Sequence, residues 1–230
     1  MASLTLRHGS FAHLAAVGPR SSAGVLREQL WFTKRFLGLR ADLSEPSEPR
    51  PALLPLVMEP VEDASFTGFA DELREVTGGD YVEALLRQRL HAAGVSTLYV
   101  AVHDGRPAYA QWLIRASEQD TVHDHAPGRY PKLAADEVLL EGAYTFAGFR
   151  RLGAMRDCMG QLLRLAAAEG ARAALTYVEA HNVPSLRGCA DVGFEPAHVR
   201  ESRRRLGLRS GAGRSVEQED RILWTRAVLR

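Results

Sequence analysis

Residues 137 to 155, EVLLEGAYTFAGFRRLGAM, constrain the fold more than any other stretch. Val138 to Phe146 reads as a strand and runs into a turn that holds Gly148 and Gly153. Beyond it Met155, Cys158, Met159, Leu162, Leu163 and Ala166 recur at helical spacing. Along the whole chain helices and strands alternate irregularly, with hairpins at both ends, which reads as an α/β protein with a mixed sheet and helices on both faces. The turn also has chemistry. The first N–H groups of a helix have no partner inside it, and the helix dipole favours an anion beside them. Arg150 and Arg151 add positive charge at the same place, so the turn suits a phosphate.

Read in order, the chain opens with Val25, Leu26, Leu30, Trp31 and Phe36 in a helical pattern, and a helix is expected over residues 24 to 37. A short extended piece over residues 37 to 43 should follow it. The Pro/Ser/Glu stretch SEPSEPRP, residues 44 to 51, is neither helix nor strand. It divides an N-terminal extension, residues 1 to 50, from a main domain, residues 51 to 230. Ala52 to Val61 is expected as an edge or irregular strand because of Pro55. Helices are expected from Phe66 to Val76 and from Tyr81 to Ala93, the second behind an Asp80/Glu83 capping box. Thr97 to His103 and Pro107 to Ile114 form a hairpin across Asp104-Gly105.

Residues 116 to 136 form a polar insertion longer than the connection requires, a type of loop that often carries function. After the organising helix come a strand, Ala173 to Val178, a short helix, Val183 to Val192, and a strand, Phe194 to Leu206. RSGAGRSVEQED should be a flexible loop and Ile222 to Leu229 a last strand.

The segment Arg150-Arg151-Leu152-Gly153-Ala154-Met155 resembles the pyrophosphate loop of the GNAT superfamily of acyl-CoA N-acyltransferases, Gln/Arg-x-x-Gly-x-Gly/Ala, with Met155 departing at the last position. HNVPSLRGCADVGF, residues 181 to 194, is similar to the family's second signature, where Asn opens a helix and Gly-Phe follows it. The resemblance extends in layout over roughly residues 50 to 230. It implies a mixed, mostly antiparallel central sheet with helices on both faces, and an acyl group, acetyl by default, moved from acyl-CoA to an amine. It also implies pantetheine along the strand near Tyr144 and Thr145, and pyrophosphate on the amides of Arg151, Gly153, Ala154 and Met155, with Arg150 and Leu152 in the same loop. Asn182 and Ser185 would meet the pantetheine, although helix capping alone explains an Asn at that position.

Direct acyl transfer needs a deprotonated amine, a stabilised carbonyl oxygen and a protonated leaving thiolate. Glu141 is the candidate base, because it sits mid-strand among apolar residues and burial would raise its pKa; a salt-bridged structural glutamate is the alternative. By alternation Glu137 shares its face. Cys189 stands where many family members have a tyrosine acid, and equally reads as a small buried hydrophobe. Tyr144 and Tyr177 are the substitutes as acid, each also explained by packing.

Composition excludes several classes. A formal charge of +1 gives no basic footprint for nucleic acid, and no apolar run is long enough for a bilayer. Two cysteines in 230 residues make no disulfide framework, and a cytoplasmic location is the expectation. The first 27 residues lack acidic groups, which fits a transit peptide or a biased N-terminus. His123 and His125 flank Asp124 without further ligands at metal spacing, so no metal is expected. The arginine run from Arg200 to Arg209 reads as a solvated face or as a contact for an anion. The expected partner is a small-molecule or peptide amine, and the protein is expected as a monomer or homodimer. A catalytically silent acyl-CoA-binding fold-mate is the alternative, and a transferase with a different donor, such as aminoacyl-tRNA, is a second.

Overall fold

The computed structural model describes residues 31–45, 48, 50–61, 94–95, 97–125, 130–205 and 208–229. The strands are β1 (Trp31–Asp42), β2 (Met58–Pro60), β3 (Leu98–His103), β4 (Arg106–Arg115), β5 (Glu137–Thr145), β6 (Ala173–Glu179), β7 (Glu195–Arg205) and β8 (Leu208–Ser215). The helices are α1 (Gln119–His125), α2 (Ala154–Ala168), α3 (Val183–Ala190) and α4 (Gln218–Val228). The strands form one sheet in the order β2-β3-β4-β5-β6-β1-β7-β8. Each neighbouring pair is antiparallel except β5 and β6, which are parallel.

The organising strand and helix form as expected. Gly153 caps α2 at φ 82°, and Gly170 follows its end at φ 96°, the left-handed conformation that a glycine adopts cheaply. The Asp104-Gly105 turn joins β3 to β4. The face of α2 that carries Met159, Leu162, Leu163 and Ala166 packs with Val138 and Leu140 of β5, Leu37 and Leu39 of β1 and Val199 of β7. Each buried leucine of that set contributes roughly 1.5–3 kcal/mol.

Three expectations are corrected. Residues 31 to 37 are strand, not helix: β1 alternates Leu37, Leu39 and Ala41 into the core, with Phe36 and Arg40 on the other side. This strand, from the span set apart as an extension, lies inside the sheet, paired along Phe36–Asp42 with β6 and along Trp31–Arg40 with β7. RSGAGRS is not a loop but β8, the edge strand beside β7. Ile222 to Leu229 is not a strand, because α4 occupies Gln218–Val228. Glu217 accepts from the N3 backbone and Asp220 from the Glu217 N–H, which caps that helix reciprocally. Asp220, fully buried, also receives Arg214 at 2.6 Å and so ties α4 to β8.

The insertion is partly helical, with a 3-10 turn over Ala116–Glu118 and then α1. Only the short Met58–Pro60 stretch of the expected Ala52–Val61 strand is regular, and it lies at the sheet edge. The expected helices at 66–76 and 81–93 lie outside the described residues.

Candidate functional site

Strands β5 and β6 pair only through Glu137–Ala173, Val138–Ala174 and Leu139–Leu175. Beyond Leu139 they part, and a cleft of about 370 Å³ opens between them. Glu141, Gly142 and Ala143 form its β5 wall, and Thr176 to Glu179 its β6 wall. Met155 and Met159 of α2 close it on the helix side, with Asn182, Ser185 and Cys189 of α3. Phe36 of β1 lies at the opposite side of the sheet. The gap therefore passes from the helix-covered face through to the other face. The β5–β6 pairing ends at Leu139, and the gap beyond it is wide enough to take an extended ligand.

A β-bulge shapes the β5 wall. Trp112 stands opposite Glu141 and Ala110 opposite Tyr144, so Gly142 and Ala143 together face the single residue Gln111. Gly142 takes φ 65°, and a Cβ there would lie 3.3 Å from the Trp112 ring. The extra residue returns Tyr144 to the face of Glu141 and Trp112 despite its odd spacing. Glu141 is 9% exposed and accepts a hydrogen bond from the Tyr130 hydroxyl at 3.2 Å. Tyr130 belongs to the insertion, so that segment does reach the cleft wall.

The second part of the site is the turn before α2. Arg151 at φ 66° and Gly153 at φ 82° are both left-handed, and the first turn of α2 follows directly. Such a turn aims successive N–H groups outward as an anion concavity. Gly153 is needed for its φ, which is strained for other residues; a Cβ would touch the Ala52 backbone at 3.4 Å and displace the end of Arg156, 3.1 Å away. Residues 50 to 58 run along α2 beside it. The Ala52 N–H donates to Asp157 at 2.8 Å, Leu53 N–H to the Leu152 carbonyl at 2.8 Å, and Met58 N–H to Gln161 at 2.9 Å. Met155, the departure from the loop pattern, packs on α3, where a Cβ at Gly188 would lie 2.8 Å from its sulfur.

Of the residues singled out from sequence, Glu141, Met155, Tyr177, Asn182, Ser185 and Cys189 meet in the one cleft. Asn182 caps α3 by accepting from the Ser185 N–H at 3.3 Å. Tyr144 and Thr145 lie past the bulge, where Arg150 donates to the Thr145 carbonyl at 3.1 Å and to the Tyr144 hydroxyl at 3.4 Å. Burial pushes the Cys189 thiol up to about 12, so it keeps its proton more firmly than an ordinary thiol. Among the described residues no cluster of three or more His, Cys, Asp or Glu is placed to hold a metal ion.

Sequence reasoning missed one group on the far face of the sheet. β6, β1 and β7 run side by side there and bring together Tyr177, Phe36, Gly38, His198 and Arg200. His198 Nε2 lies 2.7 Å from the Tyr177 hydroxyl. The Arg200 guanidinium lies 4.8 Å from the Tyr177 ring centre and 5.1 Å from that of Phe36. Burial raises the Tyr177 phenol, partly offset by Arg200 and reinforced by Glu141. Burial and then Arg200 hold His198 below the usual imidazole value. Only the strand order makes this group, so spacing along the chain could not reveal it.

The fold compares with solved structures. An acetyltransferase of the GNAT family from Colwellia psychrerythraea matches with a TM-score of 0.51 and 14% identity, over 80% of this chain and 60% of that one. A GCN5-related N-acetyltransferase from Sphaerobacter thermophilus matches with a TM-score of 0.51 and 13% identity, over 82% of this chain and 58% of that one. A glucosamine N-acetyltransferase region of a fungal multi-domain GH3 β-N-acetylglucosaminidase matches at 0.51 and 11%, over 84% of this chain and 22% of that one. The chain thus spans less than two thirds of the length of these structures. No family sequence model matches it, and no curated protein does. The fold is that of the GNAT superfamily.

Proposed function

We propose that the protein is an acyl-CoA-dependent N-acyltransferase, with acetyl-CoA as the default donor and a primary amine of a small molecule or peptide as acceptor. One observation carries the reading: the parting of β5 from β6 opens a cleft beside a left-handed turn at a helix N-terminus. Pantetheine amides would pair with the unladdered edges of β5 and β6, near Asn182 and Ser185. The pyrophosphate would rest on the N–H groups of residues 151 to 155, with Arg150 and Arg151 beside it.

The acceptor would then approach from the far face, where Glu141 offers a carboxylate to an ammonium. Holding thioester and amine together supplies much of the rate without a covalent intermediate. Cys189 fits packing better than the role of acid, since a thiol raised to about 12 protonates a thiolate of ordinary pKa only uphill. That observation favours the second reading, an acyl-CoA-binding fold-mate without turnover. Thiol release from acetyl-CoA with a panel of amines separates the two. Turnover with any amine supports the enzyme, and CoA binding without turnover supports the silent fold-mate.

A further inference from the structure

The far face holds a pair of groups that the cleft alone does not explain. Tyr177 lines the cleft, and His198 stands behind it at hydrogen-bond distance, 2.7 Å, with the rings edge to face at 74°. The place for that imidazole is built by Gly38, where a Cβ would overlap the His198 ring. Three strands far apart in sequence thus combine to put an imidazole one phenol away from the space beside Glu141.

We propose that Tyr177 and His198 form a proton relay that takes the proton from the acceptor ammonium while the Glu141 carboxylate holds that ammonium, an assignment that rests on the acyltransfer reading above. The ammonium gives one proton to the Tyr177 oxygen as the phenol passes its own to His198 Nε2. The amine lone pair then forms the C–N bond to the thioester carbonyl, and the C–S bond breaks. One of the two protons left on nitrogen goes to the departing thiolate, and the His198 imidazolium returns its proton to solvent.

The environment agrees with these roles. Among the described residues, the ionisable groups on this face near His198 are Tyr177 and Glu179 on β6, Arg200 on β7, Glu141 on β5 and Arg40 on β1; Arg40 lies 3.7 Å from Glu137, and Glu179 pairs with Lys34 and His181. Ser215 of β8 lies opposite in the ladder. Burial and Arg200 keep the imidazole neutral and able to accept, and burial keeps the phenol protonated and able to donate.

The test compares the full chain with Tyr177→Phe, His198→Gln, their double variant and Glu141→Gln. Acetyl transfer to an amine that the parent accepts is followed against pH, and thermal stabilisation by CoA is measured on each protein. Tyr177→Phe keeps the ring that packs against His198 and Arg200, so it serves as the fold control. Each single relay variant should lower kcat about 10²-fold, the lower end for acid–base groups. The double variant should be no slower than either, because the two act as a unit. The acidic limb of kcat/KM should disappear in His198→Gln and persist in Glu141→Gln, whose main effect is a higher acceptor KM. If CoA stabilises every protein but Tyr177→Phe turns over at nearly the parental rate, or the limb survives in His198→Gln, the relay is wrong and the acyltransfer reading stands. If CoA stabilises none of them, the acyltransfer reading fails and the relay with it.

Discussion

The two faces of the central strands behave differently. Toward α2 and α3 they present Leu37, Leu39, Val138, Leu140, Ala174 and Val199, a dry surface that holds the molecule together. Away from those helices the same strands bury Leu139 and Leu175 in a second apolar cluster and present beside them Glu137, Glu141, Tyr177, Glu179, Arg40, His198 and Arg200. Because successive side chains alternate, neighbours in sequence lie on opposite faces: Leu140 packs in the core, and Glu141 lines the cleft. Where β5 and β6 part, residues of both faces line the same cleft.

The sharpest way to break this contrast is a pair of adjacent substitutions. Leu140→Ala should cost about 2–5 kcal/mol, as a buried leucine truncation does, and lower the denaturant midpoint without changing the slope. Glu141→Gln keeps an acceptor for the Tyr130 hydroxyl, and its stability change should stay at about 1 kcal/mol, the net worth of one hydrogen bond. Equal losses from both would show that the far face is as structural as the near one.

Next in size, Gly38→Ala should cost about 1–3 kcal/mol through crowding against His198. It should also remove the pH response assigned to that histidine. An unchanged denaturation curve would mean that the imidazole does not occupy the space over Gly38. Asn182→Ala should cost about 1 kcal/mol through loss of the α3 cap, measured in the same way.

The smallest effect is in pH. His198 titrates lower when folded than its unfolded value of about 6.5, so the unfolded chain binds the proton first. Its contribution is complete above that value and is lost as pH falls through the folded value. Asp220 follows the same sign at lower pH: burial alone would raise it, but Arg214 and the Glu217 N–H bring it below 3.8. Melting temperature should therefore fall in two stages on acidification, and His198→Gln should remove only the first.

What the sequence revealed follows from which signals are local. The β3–β4 hairpin, β5 with its glycine turn, and α2 are each written within a few residues: Asp104-Gly105, Gly153, and apolar positions three and four apart. In β1, Trp31 and Phe32 interrupt an alternation that becomes clear only from Phe36 onward, so the local pattern there resembles a helix. In α4, Ile222, Leu223 and Trp224 run together like a buried strand, while the helical face is formed by Leu223, Trp224 and Ala227. Its cap uses Glu217, a residue outside the usual N-cap set. The bulge did leave a trace, since a glycine inside a strand often marks one, and Gly142 stands directly after Glu141. The parting of β5 from β6 and the Tyr177–His198 pair left none, because both depend on which strands become neighbours.

The central claim is that the parted strands and the left-handed turn hold CoA. Its most direct measurement is a thermal melt of the full chain with increasing CoA. At a hundredfold excess over Kd, binding to the native state alone adds about 2.7 kcal/mol. For a domain of this size that raises Tm by about 5–10 °C. The account predicts such a saturable rise, matched by acetyl-CoA and competed between the two ligands. A Tm that stays unmoved at millimolar CoA would contradict it.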